Sequence, residues 1–418
     1  MFDGMPILRN GNCMIAQSGG PTAVINSTAY GCIKEFMTFN GTATVYAGLY
    51  GVQGILEGKI RNVSSLPPSQ VEFLPYMPSA AFGSSRYRLK DFRTDDREYQ
   101  KLFQIFRKYN IRYFFYIGGN DSMDTADKIY DYAGLTGYDL SVCGIPKTID
   151  NDLVLTDHCP GFGSAAKFVT AAGEDIWFDI NAYQKPSVMI LEVMGRDTGW
   201  IAAAAGILPN VISGFNILVY VPEKAFDGPS FLADVSNALS RKNKLLVVVS
   251  EGLKDKKGEY VGLSGNQKDS FDHPQLGGVG KCLQRYLKKN LLNDVKLMQF
   301  GVLQRCSIHC VSETDQREAE MVGRQSVRYV MQGKNGFMTA LERNEAAAGY
   351  VCGTKPVGLK DVCNRVKAVP QAWIGEGGKC NTVQLLRYMA PLIFDVKKRD
   401  DFMGIRYVDH IDGFRISK

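Results

Sequence analysis

Short runs of apolar residues, each closed by glycine or proline and followed by a stretch with helical spacing, recur along the chain. Cys13 to Ala16 reads as a strand, Ser18-Gly19-Gly20-Pro21 as a turn, and Thr22 to Phe36 as a helix with Pro21 near its first position. Arg112 to Ile117, Gly118-Gly119 and Ser122 to Tyr132 repeat the unit. Leu140, Val142 and Ile145 mark the end of a buried strand that Pro146 stops. Ser187 to Val193 leads into Met194-Gly195-Arg196 and a helix from Thr198, and Leu245 to Val249 ends at Ser250-Glu251-Gly252. Strand, glycine turn and helix in alternation predict right-handed crossovers in parallel sheets, an α/β doubly wound class. His158-Cys159-Pro160-Gly161-Phe162-Gly163 breaks the pattern and suggests a domain change.

Composition agrees with a folded chain. Its 418 residues suffice for two or three domains, and 45% apolar against 22% charged residues excludes disorder as the main state. Lys and Arg exceed Asp and Glu by six, which suits a small anionic ligand but is too weak and too scattered for nucleic acid. The clusters 241–244, 254–257 and 397–399 read as solvated loops or helix ends. Ten cysteines at scattered spacings, several within apolar runs, read as free thiols in a reducing cytoplasm. Cys306, His309 and Cys310 lack a second ligand pair at structural-zinc spacing. Residues 198–222 carry no formal charge, yet Pro209-Asn210 and Ser213-Gly214 divide them into an Ala-rich helix, a turn and a strand, so they belong to a core and not to a membrane.

The candidate chemistry lies in the turns. Lys147-Thr148-Ile149-Asp150-Asn151-Asp152 places a cation, a hydroxyl and two carboxylates on one loop at a strand's carboxyl end, where open α/β sheets bind ligands. A carboxylate can take a hydroxyl proton, a lysine can neutralise phosphoryl oxygens, and a second carboxylate can support the first or bind a metal. Glycine turns at Gly19-Gly20 and Gly118-Gly119 can offer backbone N–H groups to an anion, although neither has P-loop or dinucleotide spacing. Asn120 and Asp121 are oxygen ligands suited to Mg²⁺, with helix capping by Ser122 as the plain alternative. Arg86, Arg196 and Arg305 are candidate phosphate forks.

Six segments in order resemble the phosphofructokinase family: Ser18-Gly19-Gly20-Pro21, Gly83-Ser84-Ser85-Arg86, Gly118-Gly119-Asn120-Asp121-Ser122, Pro146 to Asp152, Glu192 to Arg196, and Ser250-Glu251-Gly252. The resemblance implies two α/β sandwich domains with the active site in the cleft between them. It implies Asp150 as the base for the sugar 1-hydroxyl and Asp152 as its support. Thr148, Met194, Gly195, Arg196, Glu251, Arg305 and Lys296 look like fructose 6-phosphate contacts, while Gly19, Gly20, Arg86 and Gly119 look like donor contacts. In ATP users the positions of Asp121 and Lys147 are typically glycines. Here a carboxylate crowds the nucleoside side and an ammonium meets the end of a short donor, which resembles the pyrophosphate-dependent branch.

The activity so implied is Mg²⁺-dependent, reversible phosphoryl transfer from pyrophosphate to fructose 6-phosphate, a step of glycolysis and gluconeogenesis. The departures are Asn120 where aspartate is common, Val302 where histidine or tyrosine is common, Lys296 where arginine is usual, and Ser187 where some members place an arginine. They leave open an ATP-dependent kinase, another acceptor such as sedoheptulose 7-phosphate, and a non-catalytic phosphosugar-binding subunit. The expected domains are 1–160 with about 304–360 for the donor, 161–303 for the sugar phosphate, and 361–418 as a C-terminal extension. The expected partners are the small-molecule substrates and further copies of the chain, in a homodimer or homotetramer, with neither nucleic acid nor membrane.

Overall fold

A computed structural model of the chain describes residues 10–39, 41–262, 276–346, 349–376, 380 and 382–394. The basic run at 397–399 and the glycines at 377–378 lie outside the described residues. In chain order the strands are β1 (Asn12–Gln17), β2 (Val45–Gly48), β3 (Ile60–Asn62), β4 (Ile111–Gly118), β5 (Ser141–Pro146), β6 (Ser187–Val193), β7 (Ile217–Tyr220), β8 (Lys244–Ser250), β9 (Val295–Gln299), β10 (Phe337–Arg343) and β11 (Cys352–Gly358). The helices that frame them are α1 (Ile25–Phe39), α2 (Arg97–Lys108), α3 (Asn120–Thr136), α4 (Phe162–Asn181), α5 (Gly228–Arg241), α6 (Val279–Asn290), α7 (Leu303–Cys306), α8 (Glu313–Met331) and α9 (Val383–Ile393).

Among the described residues the chain divides into two compact units, 10–161 with 315–366, and 162–314 with 367–394. The first is built on a seven-stranded sheet of order β11-β10-β5-β4-β1-β2-β3. Its centre is parallel, and antiparallel β3 and β11 close its edges. Period-two alternation sends Cys13, Ile15, Tyr113 and Phe115 to one face, where α1 and α8 cover them. Met14, Ala16, Phe114 and Tyr116 go to the other, under α2 and α3. Both faces are buried, so these strands read as continuous apolar runs, and each fully buried aromatic ring contributes roughly 2 kcal/mol through area removed from water.

The second unit is built on a four-stranded parallel sheet, β7-β8-β6-β9. Val188, Ile190, Leu245 and Val247 pack with Phe231 and Val235 of α5 and Leu283 and Leu287 of α6. On α4, Phe162 joins an aromatic group with Trp200, Trp373 and Tyr388 of α9.

Several boundaries differ from the sequence pattern. The chain re-enters the first unit at Asp315 instead of near Gln304. The reason is local: the Gln304 side chain accepts from Met194 N–H, and Lys167 of α4 donates to the Val311 carbonyl, so 304–311 stay with the second unit. The described part of 361–418 is no separate appendage, because Asn364 and Arg365 bond to Asn120, and Leu385, Tyr388, Met389, Leu392 and Ile393 are buried. Helix α1 begins at Ile25, after a turn in which Val24 N–H donates to Thr22 Oγ1.

Candidate active site

In the first sheet the chain runs from β1 to β2 on one side, then returns to place β4 on the other, so the carboxyl ends of β1 and β4 form the topological switch point. The turns that follow these two strands are the two glycine turns. Ser18 N–H donates to the Ile117 carbonyl at 2.8 Å, fixing one turn against the other. The 83–86 segment is stitched to the first of them: Gly19 N–H donates to the Ser85 carbonyl at 3.1 Å, and Ser84 Oγ donates to the Gly19 carbonyl at 2.5 Å. Arg86 follows at an exposed position.

Lys147 enters this turn from the end of β5. Its N–H donates to the Gly118 carbonyl at 2.9 Å, which extends the sheet by one step. The residue is 3% exposed and its Nζ donates to the Gly20 carbonyl at 2.6 Å. Gly19 lies at φ +76°, and a β-carbon there would stand 3.1 Å from that ammonium, so the turn needs glycine on both counts. Gly119 differs. Its φ of −89° suits any residue, and a β-carbon would meet the Lys147 carbonyl at 3.6 Å and Thr148 Cβ at 3.9 Å, both ordinary contacts. Packing within the unit therefore does not require glycine there.

Helix α3 starts two residues earlier than the sequence suggests, with Gly119 at its N-cap and no side chain capping it. Ser122 and Met123 N–H both donate to the Gly119 carbonyl at 3.0 Å, and the positive end of the helix favours an anion beside this turn. Asp121 sits in the first turn, partly exposed. The Asn120 amide is engaged elsewhere: its oxygen accepts from Asn364 N–H at 2.6 Å and its NH₂ donates to the Arg365 carbonyl.

The loop beyond Lys147 is held by a second segment, 156–161. Thr148 N–H donates to the Pro160 carbonyl at 3.2 Å, and Cys159 N–H donates to Asn151 Oδ1 at 3.0 Å. Asn151 is fully buried in the left-handed region at φ 54°, a conformation asparagine tolerates. Asp150 N–H donates to Thr148 Oγ1 at 3.1 Å, so Asp150 and Asp152 project from a tight turn, both partly exposed.

The second unit gathers its own set. Neighbouring strands β6 and β8 end together, and Glu251 N–H donates to the Val193 carbonyl at 2.9 Å while Gly252 N–H donates to the Gly195 carbonyl at 3.0 Å. A β-carbon on Gly252 would stand 1.8 Å from the Arg196 carbonyl oxygen, so only glycine allows the turns to meet. Gln304 Oε1 accepts from Met194 N–H at 3.0 Å and brings α7, with Arg305, to the same edge. Met194, Gly195, Arg196, Glu251 and Arg305 are therefore collected, and Gln304 and Ser250 are the partners that sequence reasoning missed.

Lys296 is not collected with them. It pairs in register with Met189 and its ammonium lies over the Tyr183 ring at 5.3 Å, five residues before Met194. Lys296 is three residues from Gln299, the last of β9, so at about 3.3 Å per residue it lies about 10 Å short of that strand's carboxyl end. The Cys306, His309 and Cys310 trio forms no metal cluster among the described residues, where the candidate set is His158, Glu318 and Cys352. All ten cysteines are free, and among the described residues no helix is long and apolar enough to cross a membrane.

The phosphofructokinase family profile matches residues 12–330, the span that holds every turn described above. The chain belongs to the phosphofructokinase family. Within the family it is 40% identical over 388 residues to a pyrophosphate–fructose 6-phosphate 1-phosphotransferase of Xanthomonas campestris, covering 92% of each chain. A crystal structure of a pyrophosphate-dependent phosphofructokinase from Nitrosospira multiformis superimposes with a TM-score of 0.82 at 35% identity, again over 92% of each chain. A sulfofructose kinase of Alkalicoccus urumqiensis is 33% identical over 332 residues, 79% of this chain and 83% of its own.

Proposed function

We propose that this protein transfers a phosphoryl group reversibly from pyrophosphate to the 1-hydroxyl of fructose 6-phosphate, giving fructose 1,6-bisphosphate and phosphate. The observation that carries this reading is the buried Lys147 ammonium at the Gly19-Gly20 turn. A fixed cation at that depth matches a donor that ends within the turn, and a nucleoside beyond the first phosphates would have to pass the Asp121 carboxylate. The likeness to the Xanthomonas transferase and the Nitrosospira structure supports the same donor and acceptor.

In the forward direction the Asp150 carboxylate takes the proton from the sugar 1-hydroxyl as its oxygen attacks phosphorus, and the bond to the departing phosphate breaks. Asp152 sustains the charge on that loop. Lys147, the α3 N-terminus and the Gly19-Gly20 turn offset the growing negative charge on the leaving group. Thr148, Met194, Gly195, Arg196, Glu251 and Arg305 hold the acceptor, with the arginine forks on its phosphate. A divalent cation, assigned as Mg²⁺, fits Asp121 better than Asn120, whose amide oxygen and nitrogen already serve residues 364 and 365. When bound it supplies charge neutralisation to the donor.

The test is a donor panel on purified protein with product analysis. Turnover with pyrophosphate and none with ATP is expected, and the reverse pattern overturns the donor assignment. The likeness to the sulfofructose kinase favours a second acceptor, so sulfofructose belongs in the acceptor panel beside fructose 6-phosphate and sedoheptulose 7-phosphate. The reading also carries a homodimer or homotetramer acting in a reducing cytoplasm, for which light scattering and fractionation are the measurements.

A further inference from the structure

His158 is fully buried, and both of its ring nitrogens face carboxylates: Nδ1 lies 2.8 Å from Asp157 Oδ2 and Nε2 lies 2.7 Å from Glu318 Oε2. Each contact needs a proton on the ring, because an ionised carboxylate only accepts. A neutral imidazole carries one such proton, and an imidazolium carries two. The surroundings are built for the charged form. Arg343 at the end of β10 donates to Asp157 at 3.0 Å and stacks over the Tyr350 ring, and the Tyr350 hydroxyl donates to Glu318 Oε1 at 2.8 Å. Cys352 of β11 completes the ring of neighbours, its thiol pushed up to about 12 by burial and the Glu318 charge, so it stays neutral. Two carboxylates and two cations then balance in the interior, as a buried cluster requires.

The segment carrying His158 is the one that holds the Lys147–Asp152 loop. Asp157 N–H donates to the Leu341 carbonyl at 2.9 Å, Thr156 Oγ1 donates to the His158 carbonyl at 2.8 Å, and Gly161 N–H donates to Asp315 Oδ1 at 2.9 Å. Cys159 and Pro160, between these anchors, bond to Asn151 and Thr148. We propose that His158 is a positioning residue: as an imidazolium donating to both Asp157 and Glu318, it clamps the 156–161 strap to α8 and β10 and so sets the placement of Asp150. The inference rests on the reading of Asp150 as the base. Burial opposes the charge on His158, but Glu318 and Asp157 outweigh it and raise its pKa to about 9. A metal held by His158, Glu318 and Cys352 is the competing use of this cluster, and it would need the lone pair that the 2.7 Å contact to Glu318 occupies.

The test begins with ring-nitrogen NMR on the wild-type protein, the His158 signals being assigned by elimination with His273→Gln, His309→Gln and His410→Gln. Both ring nitrogens are expected to be protonated at pH 7.5. A neutral imidazole at that pH, or stoichiometric zinc in the purified protein, overturns the proposal. With pyrophosphate and fructose 6-phosphate, kcat is expected to fall on an alkaline limb that coincides with the His158 titration. Glu318→Gln is expected to move titration and limb together by at least one pH unit, with both KM values at pH 7 within twofold. A limb that stays in place while the titration moves removes His158 from positioning. Hydrogen exchange over 147–161 gives an answer that needs no turnover: exchange in wild type, corrected for its intrinsic pH dependence, accelerates at least tenfold above the titration. Unchanged protection overturns the clamp even if the donor assignment fails.

Discussion

The Lys147 ammonium donates to the Gly20 carbonyl at 2.6 Å, so a cation contributed by the end of β5 is held inside the turn that ends β1. A neutral carbonyl accepts this bond, and a cation held at this depth can offset negative charge on an anionic donor. Lys147→Gly is expected to lower kcat/KM with pyrophosphate by about 10²-fold or more, in line with the loss of one preorganised charge donor. Steady-state kinetics on the folded variant checks it, and an unchanged kcat/KM removes the lysine from the chemistry.

Asp150→Ser removes the proposed base from a turn whose backbone bond to Thr148 Oγ1 serine can keep. The expectation is a fall in kcat of about 10²–10⁴-fold with KM for the sugar phosphate changed only a few-fold. Loss of sugar affinity at full kcat would contradict the assignment.

Gly119→Ala separates stability from donor binding. The added methyl meets the Lys147 carbonyl at an ordinary 3.6 Å, so the cost in stability is about 1 kcal/mol or less, from the poorer N-cap. The methyl adds bulk at a proposed donor turn, and KM for pyrophosphate is expected to rise about tenfold or more. Thermal melts and donor titrations run side by side decide this.

Gly252→Ala has the opposite profile. A β-carbon 1.8 Å from the Arg196 carbonyl forces the β6 and β8 turns apart, at a cost of about 1–3 kcal/mol. Denaturant unfolding reads the loss, and KM for the sugar phosphate is expected to rise with it as Arg196 shifts.

The charged cluster around His158 predicts how stability depends on pH. Its pKa is raised from 6.5 to about 9, so its contribution is complete below about 6.5 and lost as pH rises through 9. A shift of that size corresponds to roughly 3 kcal/mol. Asp157 is depressed from 3.8, because the His158 and Arg343 charges outweigh its burial, so its contribution holds above 3.8 and fades as pH falls below it. Melting temperatures recorded from pH 4 to 10 are expected to form a plateau near pH 5–6.5 with a decline on the alkaline side. A flat profile between 6.5 and 9.5 would contradict a charged His158.

What could be read from the sequence was what is local. Cys13 to Ala16 and Arg112 to Ile117 declare themselves because both faces of the sheet are covered, and the glycine turns because backbone conformation leaves a mark on residue type. The start of α3 was misread because Ser122 is a better cap by type than Gly119, yet Lys147 fixes the turn that precedes it. Lys296 was assigned by its place in a motif, and strand register moved it to the other end of β9. The His158 cluster had no signal of its own. Glu318 lies 160 residues from His158 and Arg343 lies 186 from Asp157, and no spacing rule reaches that far.

The last strands of the larger sheet, β10 and β11, are encoded only after residues 162–314 of the second unit. A nascent chain that has emerged as far as Gly161 therefore displays β5 as a bare, apolar edge, open to pairing with strangers. Synthesis must run on to Arg343, the end of β10, before that edge is sealed. Any truncation between the two is expected to yield aggregates instead of a free-standing donor module, which makes the order of translation part of how this protein avoids misassembly.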